Sequence, residues 1–135
     1  MKKPKTFDRV SIGFGDLGIG IDIESLHRFE GLNKPRDRHF LRRIFTSREL
    51  AYCFSKSRPA PHLATRFACK EAVIKALGSL GRKVPNHNEL EITRNKNGAP
   101  SVRFHNIKGR VGVRVSLAHS SDSAVALAVV IENGE

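Results

Sequence analysis

The segment Leu17-Gly18-Ile19-Gly20-Ile21-Asp22-Ile23 constrains the fold more than any other stretch of the chain. Large apolar side chains alternate with glycine and one aspartate, which is the period-2 pattern of a β-strand. Ile19, Ile21 and Ile23 share one face, while Gly18, Gly20 and Asp22 share the other. The second face is nearly bare of side chains, so a backbone or a ligand can approach it closely. Two readings stand at this point. The bare face is either a crowded packing contact, with Asp22 capping the next element, or a ligand surface beside one carboxylate.

The flanking patterns set the fold class. Residues 25–32 place Leu26, Phe29 and Leu32 on one side of a short helix. Residues 36–45 form a second helical piece, with Phe40, Leu41, Ile44 and Phe45 apolar and Arg36, Arg38, Arg42 and Arg43 on its other face. Thr46-Ser47-Arg48-Glu49 has the capping-box pattern that opens a helix, here expected to reach about Phe54. The longest helix is expected over residues 61–77. Pro61 suits its first turn and Gly78 its stop, and Leu63, Phe67, Ile74 and Leu77 form an apolar stripe. The remainder is β-rich. Residues 90–93 form a strand, Asn97-Gly98 turns the chain, and residues 101–104 return after Pro100. Val111, Val113, Val115 and Leu117 alternate with polar or small residues, and residues 124–131 form a continuous apolar strand paired with them. The expected fold is therefore α+β, with a small, mainly antiparallel sheet packed against one long helix and several short helices. Residues 1–16 carry four Lys or Arg among the first nine positions and are expected to be a flexible basic extension; residues 17–135 are expected to be a single domain.

A chain of 135 residues is one domain's worth. Its 24 Lys and Arg against 13 Asp and Glu give a net charge of +11, which draws polyanions: nucleic acid, an anionic membrane surface, phosphorylated small molecules or an acidic protein. The charge makes a non-enzymatic nucleic-acid binder the rival reading, against which the aromatics do not pair on neighbouring strands as an RNA-stacking sheet requires and no groove-reading motif is present; a second rival is a scaffold subunit without activity. No apolar run is long enough for a membrane span. Cys53 and Cys69 lack metal or redox spacing, which predicts buried reduced thiols and a cytoplasmic location.

Four groups could carry chemistry: Asp22 on its glycine-lined strand; Glu71 and Lys75 one turn apart at the rim of the buried helix face; His119 in a serine-rich turn with Ser120 and Ser121; and the arginines of the early helices. A phosphate-processing site explains all four. Two carboxylates from different elements can hold Mg²⁺, which takes oxygen ligands and keeps several waters. A lysine beside them stabilises charge on a transferring phosphoryl group. Basic helices attract an acidic macromolecule. From spacing alone, an ordinary surface pair is the better reading of Glu71 and Lys75.

Five blocks in order resemble the holo-[acyl-carrier-protein] synthase family of phosphopantetheinyl transferases. They are residues 18–23 followed by Arg28-Phe29, residues 43–50, residues 63–78, Asn97-Gly98-Ala99-Pro100, and residues 115–120. The most specific piece is Arg66-Phe67-Ala68-Cys69-Lys70-Glu71-Ala72-Val73-Ile74-Lys75-Ala76. Thr65 stands where many members carry Gly, and Cys69 where Ala is common. The resemblance implies transfer of 4′-phosphopantetheine from coenzyme A to a serine of an acidic apo acyl carrier protein. It implies Mg²⁺ on Asp22 and Glu71, with Glu71 the candidate general base. Lys75 falls at the phosphate-binding lysine, and His119 and Ser120 beside coenzyme A. Arg66, Asn97, Gly98 and Pro100 become further coenzyme A contacts, and Arg28, Arg36 and Phe40 carrier contacts. It also implies a homotrimer with sites between subunits.

Overall fold

A computed structural model of the chain describes residues 16–106 and 111–132. The basic extension expected over residues 1–16 lies, Asp16 apart, outside them. Strand β1 (Asp16–Ser25) leads into a 3₁₀ turn (Leu26–Phe29), where the sequence had suggested a longer helix. Two short helices follow, α1 (Arg38–Ile44) and α2 (Ser47–Phe54). The long helix α3 (Pro59–Ser79), a 3₁₀ turn (His87–Glu89) and strands β2 (Leu90–Arg94), β3 (Pro100–Phe104), β4 (Val111–His119) and β5 (Ser123–Glu132) complete the chain.

All strand pairs are antiparallel. One sheet has the order β1-β5-β4, and a hairpin of β2 and β3 forms the second. The α+β class and its single long helix are as expected. The Thr46/Glu49 capping box is formed in full at the start of α2. The Asn97-Gly98 turn joins β2 to β3, with Gly98 at φ +83°, and Pro100 begins the return strand. Gly78 does not stop α3. The helix runs through it to Ser79, and Gly81, at φ +74°, supplies the left-handed residue after the end.

The bare face of β1 is a packing surface. A Cβ on Gly20 would stand 2.8 Å from the Ala76 nitrogen and closer still to the Ala72 carbonyl oxygen; one on Gly18 would meet the Ala76 carbonyl. The two glycines let α3 lie directly on the strand. Because side chains alternate, the isoleucines must then face away from the helix. Leu17, Ile19, Ile21 and Ile23 are 49–66% exposed, and their cross-strand partners on β5 are Ile131, Val129, Leu127 and Val125. This leaves an apolar outer face on β1 and β5, whereas on β4 the same face carries Gly112, Arg114, Ser116 and Ala118.

Helix α3 is buried far beyond one stripe. Every residue from Leu63 to Lys70 is buried, because the three-stranded sheet, α2 and β2 all pack on it, whereas Ile74 of the expected stripe is only half-buried. The Lys70 ammonium is fully enclosed and fully partnered. It donates to Glu49 at 2.7 Å, to the Ile44 carbonyl at 2.6 Å and to the His87 carbonyl at 2.9 Å. Glu49 also accepts from the Thr46 and Ile92 backbone N–H groups. Among the described residues, no helix is long and apolar enough to cross a membrane.

Two outcomes follow. Gly20→Ala forces a methyl into the α3 backbone and is expected to destabilise by at least about 1–3 kcal/mol, read by denaturant unfolding. Burial pushes the Cys53 thiol up to about 11 and Cys69 up to about 12. At pH 8 neither should react with a thiol-disulfide reagent in the native protein, and both should react once it is denatured.

Candidate active site

Asp22 extends from the same face of β1 as the glycines, so the contact that seats α3 also lowers this carboxylate onto the helix. Phe67, Glu71 and Lys75 recur at four-residue spacing along one side of α3. The Lys75 ammonium reaches across to β1 and donates to Asp22 Oδ1 at 3.1 Å and to the Ile21 carbonyl at 3.0 Å. Asp22 and Lys75 thus meet. Glu71, one turn away, is engaged differently: the His87 imidazole Nε2 is paired with its Oε2.

The second oxygen of Asp22, Oδ2, is buried and has no hydrogen-bond partner among the described residues. Glu24, two residues on and on the same strand face, is also nearly enclosed. Burial, reinforced by the Asp22 carboxylate, pushes Glu24 up to about 7, although Arg28 donates to it at 2.7 Å. Each acid has one basic partner, Lys75 for Asp22 and Arg28 for Glu24, but Asp22 keeps an orphaned carboxylate oxygen, and that is where a hard cation would bind. The donor set fits Mg²⁺, which binds one or two carboxylates and keeps its waters. Among the described residues no three metal-ligating side chains converge.

A second cluster lies at the other edge of the sheet. His119 ends β4, and its row runs through Ala124 of β5 to Glu24 of β1. The cleft beside it holds about 230 Å³ and is lined by His62, Thr65, Arg66, Arg94, Pro100 and His119, with no carboxylate in its wall among the described residues. Arg66 is buried, its guanidinium lies 4.4 Å from the Tyr52 ring, and its Nε has no partner among the described residues. His62 is held below its usual pKa by burial first and then by Arg66. The cleft is built for an anion. The Thr65 hydroxyl is satisfied by donating to the Pro61 carbonyl at 2.9 Å.

The remaining candidates sort as follows. Pro100 joins His119 in the cleft, whereas Asn97 and Gly98 sit at the hairpin tip outside its lining. The Ser120 hydroxyl accepts from the Asp122 and Ser123 N–H groups and braces the β4–β5 turn. Arg28 lies 5.0 Å from the Phe67 ring while holding Glu24. Arg36 is exposed and donates to Asp37 and the Gly31 carbonyl; Phe40 is 39% exposed. The sequence reading did not single out Glu24, His62, His87 or Arg94. Strand alternation carried two residues further would have placed Glu24 beside Asp22; His87 has no periodic signal. Within one chain the Asp22 and His119 clusters do not merge, because they occupy opposite edges of the β1-β5-β4 sheet.

Residues 18–130 match the family model of the 4′-phosphopantetheinyl transferase superfamily. The chain belongs to that superfamily. The match spans the described sheet and all of α3, including both clusters. Among curated relatives, the holo-[acyl-carrier-protein] synthase of Moorella thermoacetica is 44% identical over 122 residues, covering 84% of this chain and 93% of that protein. That of Thermodesulfovibrio yellowstonii is 36% identical, covering 84% and 96%. The solved structure of the Bacillus anthracis holo-(acyl-carrier-protein) synthase in complex with CoA (3′,5′-ADP) is similar, with TM-score 0.69, 32% identity and coverage of 86% and 96%. This superfamily member therefore shares both fold and sequence with synthases over nearly their whole length.

Proposed function

We propose that the chain transfers the 4′-phosphopantetheine group of coenzyme A to a serine of an acidic apo acyl carrier protein, with Mg²⁺ as cofactor, in the cytoplasm. The observation that carries this reading is the buried, unpartnered Asp22 Oδ2 beside Lys75, one helical turn from Glu71, in a superfamily member. Asp22 and Glu71 would hold Mg²⁺, which when bound draws charge from the pyrophosphate oxygens. Lys75 would neutralise charge on the transferred phosphate. The serine oxygen forms a new bond to phosphorus as the bond to the leaving phosphate breaks; adenosine 3′,5′-bisphosphate departs, and the serine proton passes to a carboxylate, for which Glu71 is the candidate. Positioning and charge stabilisation supply most of the rate.

The cleft of Arg66, Arg94, His62 and His119 suits the phosphates of the nucleotide end of coenzyme A, with Pro100 alongside and the Asn97-Gly98 tip and Ser120 at its margins. Its separation from Asp22 within one chain supports a site completed by a neighbouring copy. The exposed apolar sheet face supports self-association, for which we propose a homotrimer. Arg28, Arg36 and Phe40 form the proposed carrier surface.

The test incubates the protein with coenzyme A, Mg²⁺ and apo carrier and weighs the carrier by mass spectrometry. The carrier should gain one phosphopantetheine, and a chelator should abolish the gain. Asp22→Ala and Glu71→Ala should lower transfer by at least about 100-fold while remaining folded by circular dichroism; full activity in either removes the metal assignment. Steering of the carrier is electrostatic, so raising ionic strength from about 0.05 to 0.5 M should raise the carrier KM. Arg28→Glu should raise that KM about tenfold with little effect on the KM for coenzyme A; an unchanged carrier KM would take Arg28 off the surface.

A further inference from the structure

The position of His87 is determined from three directions. Its backbone carbonyl accepts from the enclosed Lys70 ammonium at 2.9 Å. Its 3₁₀ turn is closed by reciprocal hydrogen bonds between Asn86 and Glu89. Its imidazole lies flat on Phe67, with ring centroids 5.4 Å apart and planes within 5°, and Arg28 lies against the same phenyl ring. Phe67 and Glu71 are one turn apart on α3, so a ring stacked on the first presents its edge to the second. That edge is Nε2, and its N–H donates to Glu71 Oε2. The backbone, the plane and the edge of the imidazole are each fixed before any ligand arrives. An exposed pair lacking these restraints would contribute little.

We infer that His87 is a positioning residue for the proposed divalent-cation site: it holds one oxygen of Glu71 so that the other faces the ion. This rests on the reading of Glu71 as a ligand. Carboxylates that bind metals are oriented by hydrogen bonds from outside the coordination shell, and loss of such a partner typically costs 10–100-fold in metal affinity or activity. The two carboxylates are then pinned in parallel fashion by basic groups from other elements, Asp22 by Lys75 and Glu71 by His87. The stack on Phe67 makes the restraint stiff, because the imidazole cannot turn without losing its ring contact.

The full chain is purified free of divalent ions, and Mg²⁺ binding is measured by calorimetry with saturating coenzyme A. The Mg²⁺ concentration for half-maximal transfer is measured in parallel. His87→Phe keeps a flat ring on Phe67 and deletes the donor; His87→Gln restores a donor without the ring. His87→Phe should weaken Mg²⁺ binding about 10–100-fold and shift the half-maximal concentration by the same factor, with excess Mg²⁺ restoring most of the rate. His87→Gln should recover at least part of the affinity. Glu71→Ala is the reference. If it binds Mg²⁺ like the unaltered protein, the ligand reading of Glu71 fails first. If it loses Mg²⁺ while His87→Phe binds within twofold of the unaltered protein, His87 positions nothing and the inference falls. It also falls if Gln is no better than Phe. Should His87→Phe fail to fold, His87→Leu is judged by the same thresholds.

Discussion

The close approach of β1 to α3 at Gly18 and Gly20 is the constraint on which the rest of the molecule depends. Without a Cβ at either position, backbone meets backbone, and Asp22 is carried down to the level where Lys75 can reach it. The same contact decides the opposite face. A strand has two faces only, so giving the bare one to the helix commits Ile19, Ile21 and Ile23 to the outside, opposite the apolar outward residues of β5. One packing choice thus produces both an acidic corner and an apolar surface in need of cover.

The Lys70–Glu49 pair is the second organising contact. Burying an ammonium and a carboxylate is costly, and the net gain depends on every hydrogen-bonding position being filled. Here Lys70 has three oxygen partners, and Glu49 adds two backbone N–H groups. The pair joins the end of α1, the start of α2, the middle of α3, the 3₁₀ turn at His87 and the first residues of β2. Removing one partner of such a pair strands the other as a buried charge, a loss of about 3–5 kcal/mol. Its reach to the His87 backbone links the core directly to the Glu71 carboxylate.

Much of this was legible in the sequence because local chemistry governs it. Thr46 and Glu49 announce a helix start, Asn97-Gly98 a hairpin, and period-2 alternation the strands β1 and β4. Asp22 and Lys75, picked out from separate elements, do meet. What was not legible depends on tertiary partners. Gly78 reads as a helix stop, but the helix continues because Leu77 remains anchored in the core and Gly81 supplies the left-handed turn. The two readings of the bare strand face are separated only by knowing what lies on it, and at the glycines it is the helix. His87 is a turn residue whose ring is held by a phenyl ring twenty residues earlier, in the middle of α3.

Sequence reasoning also gathered Asp22 and His119 into one phosphate site, whereas a single chain holds them at opposite edges of a sheet with β5 between. The two observations fit together in the proposed assembly. A cleft that is cationic but lacks carboxylates and a carboxylate corner with an unpartnered oxygen are complementary halves, and the outer sheet face offers the apolar surface that would bring a second copy alongside. In that proposed arrangement the nucleotide phosphates would lie on the arginines of one copy and the bond that breaks would lie over Asp22 and Glu71 of the next. Packing across the isoleucine face, on the reverse of the strand that carries Asp22, would then govern whether the proposed site is complete.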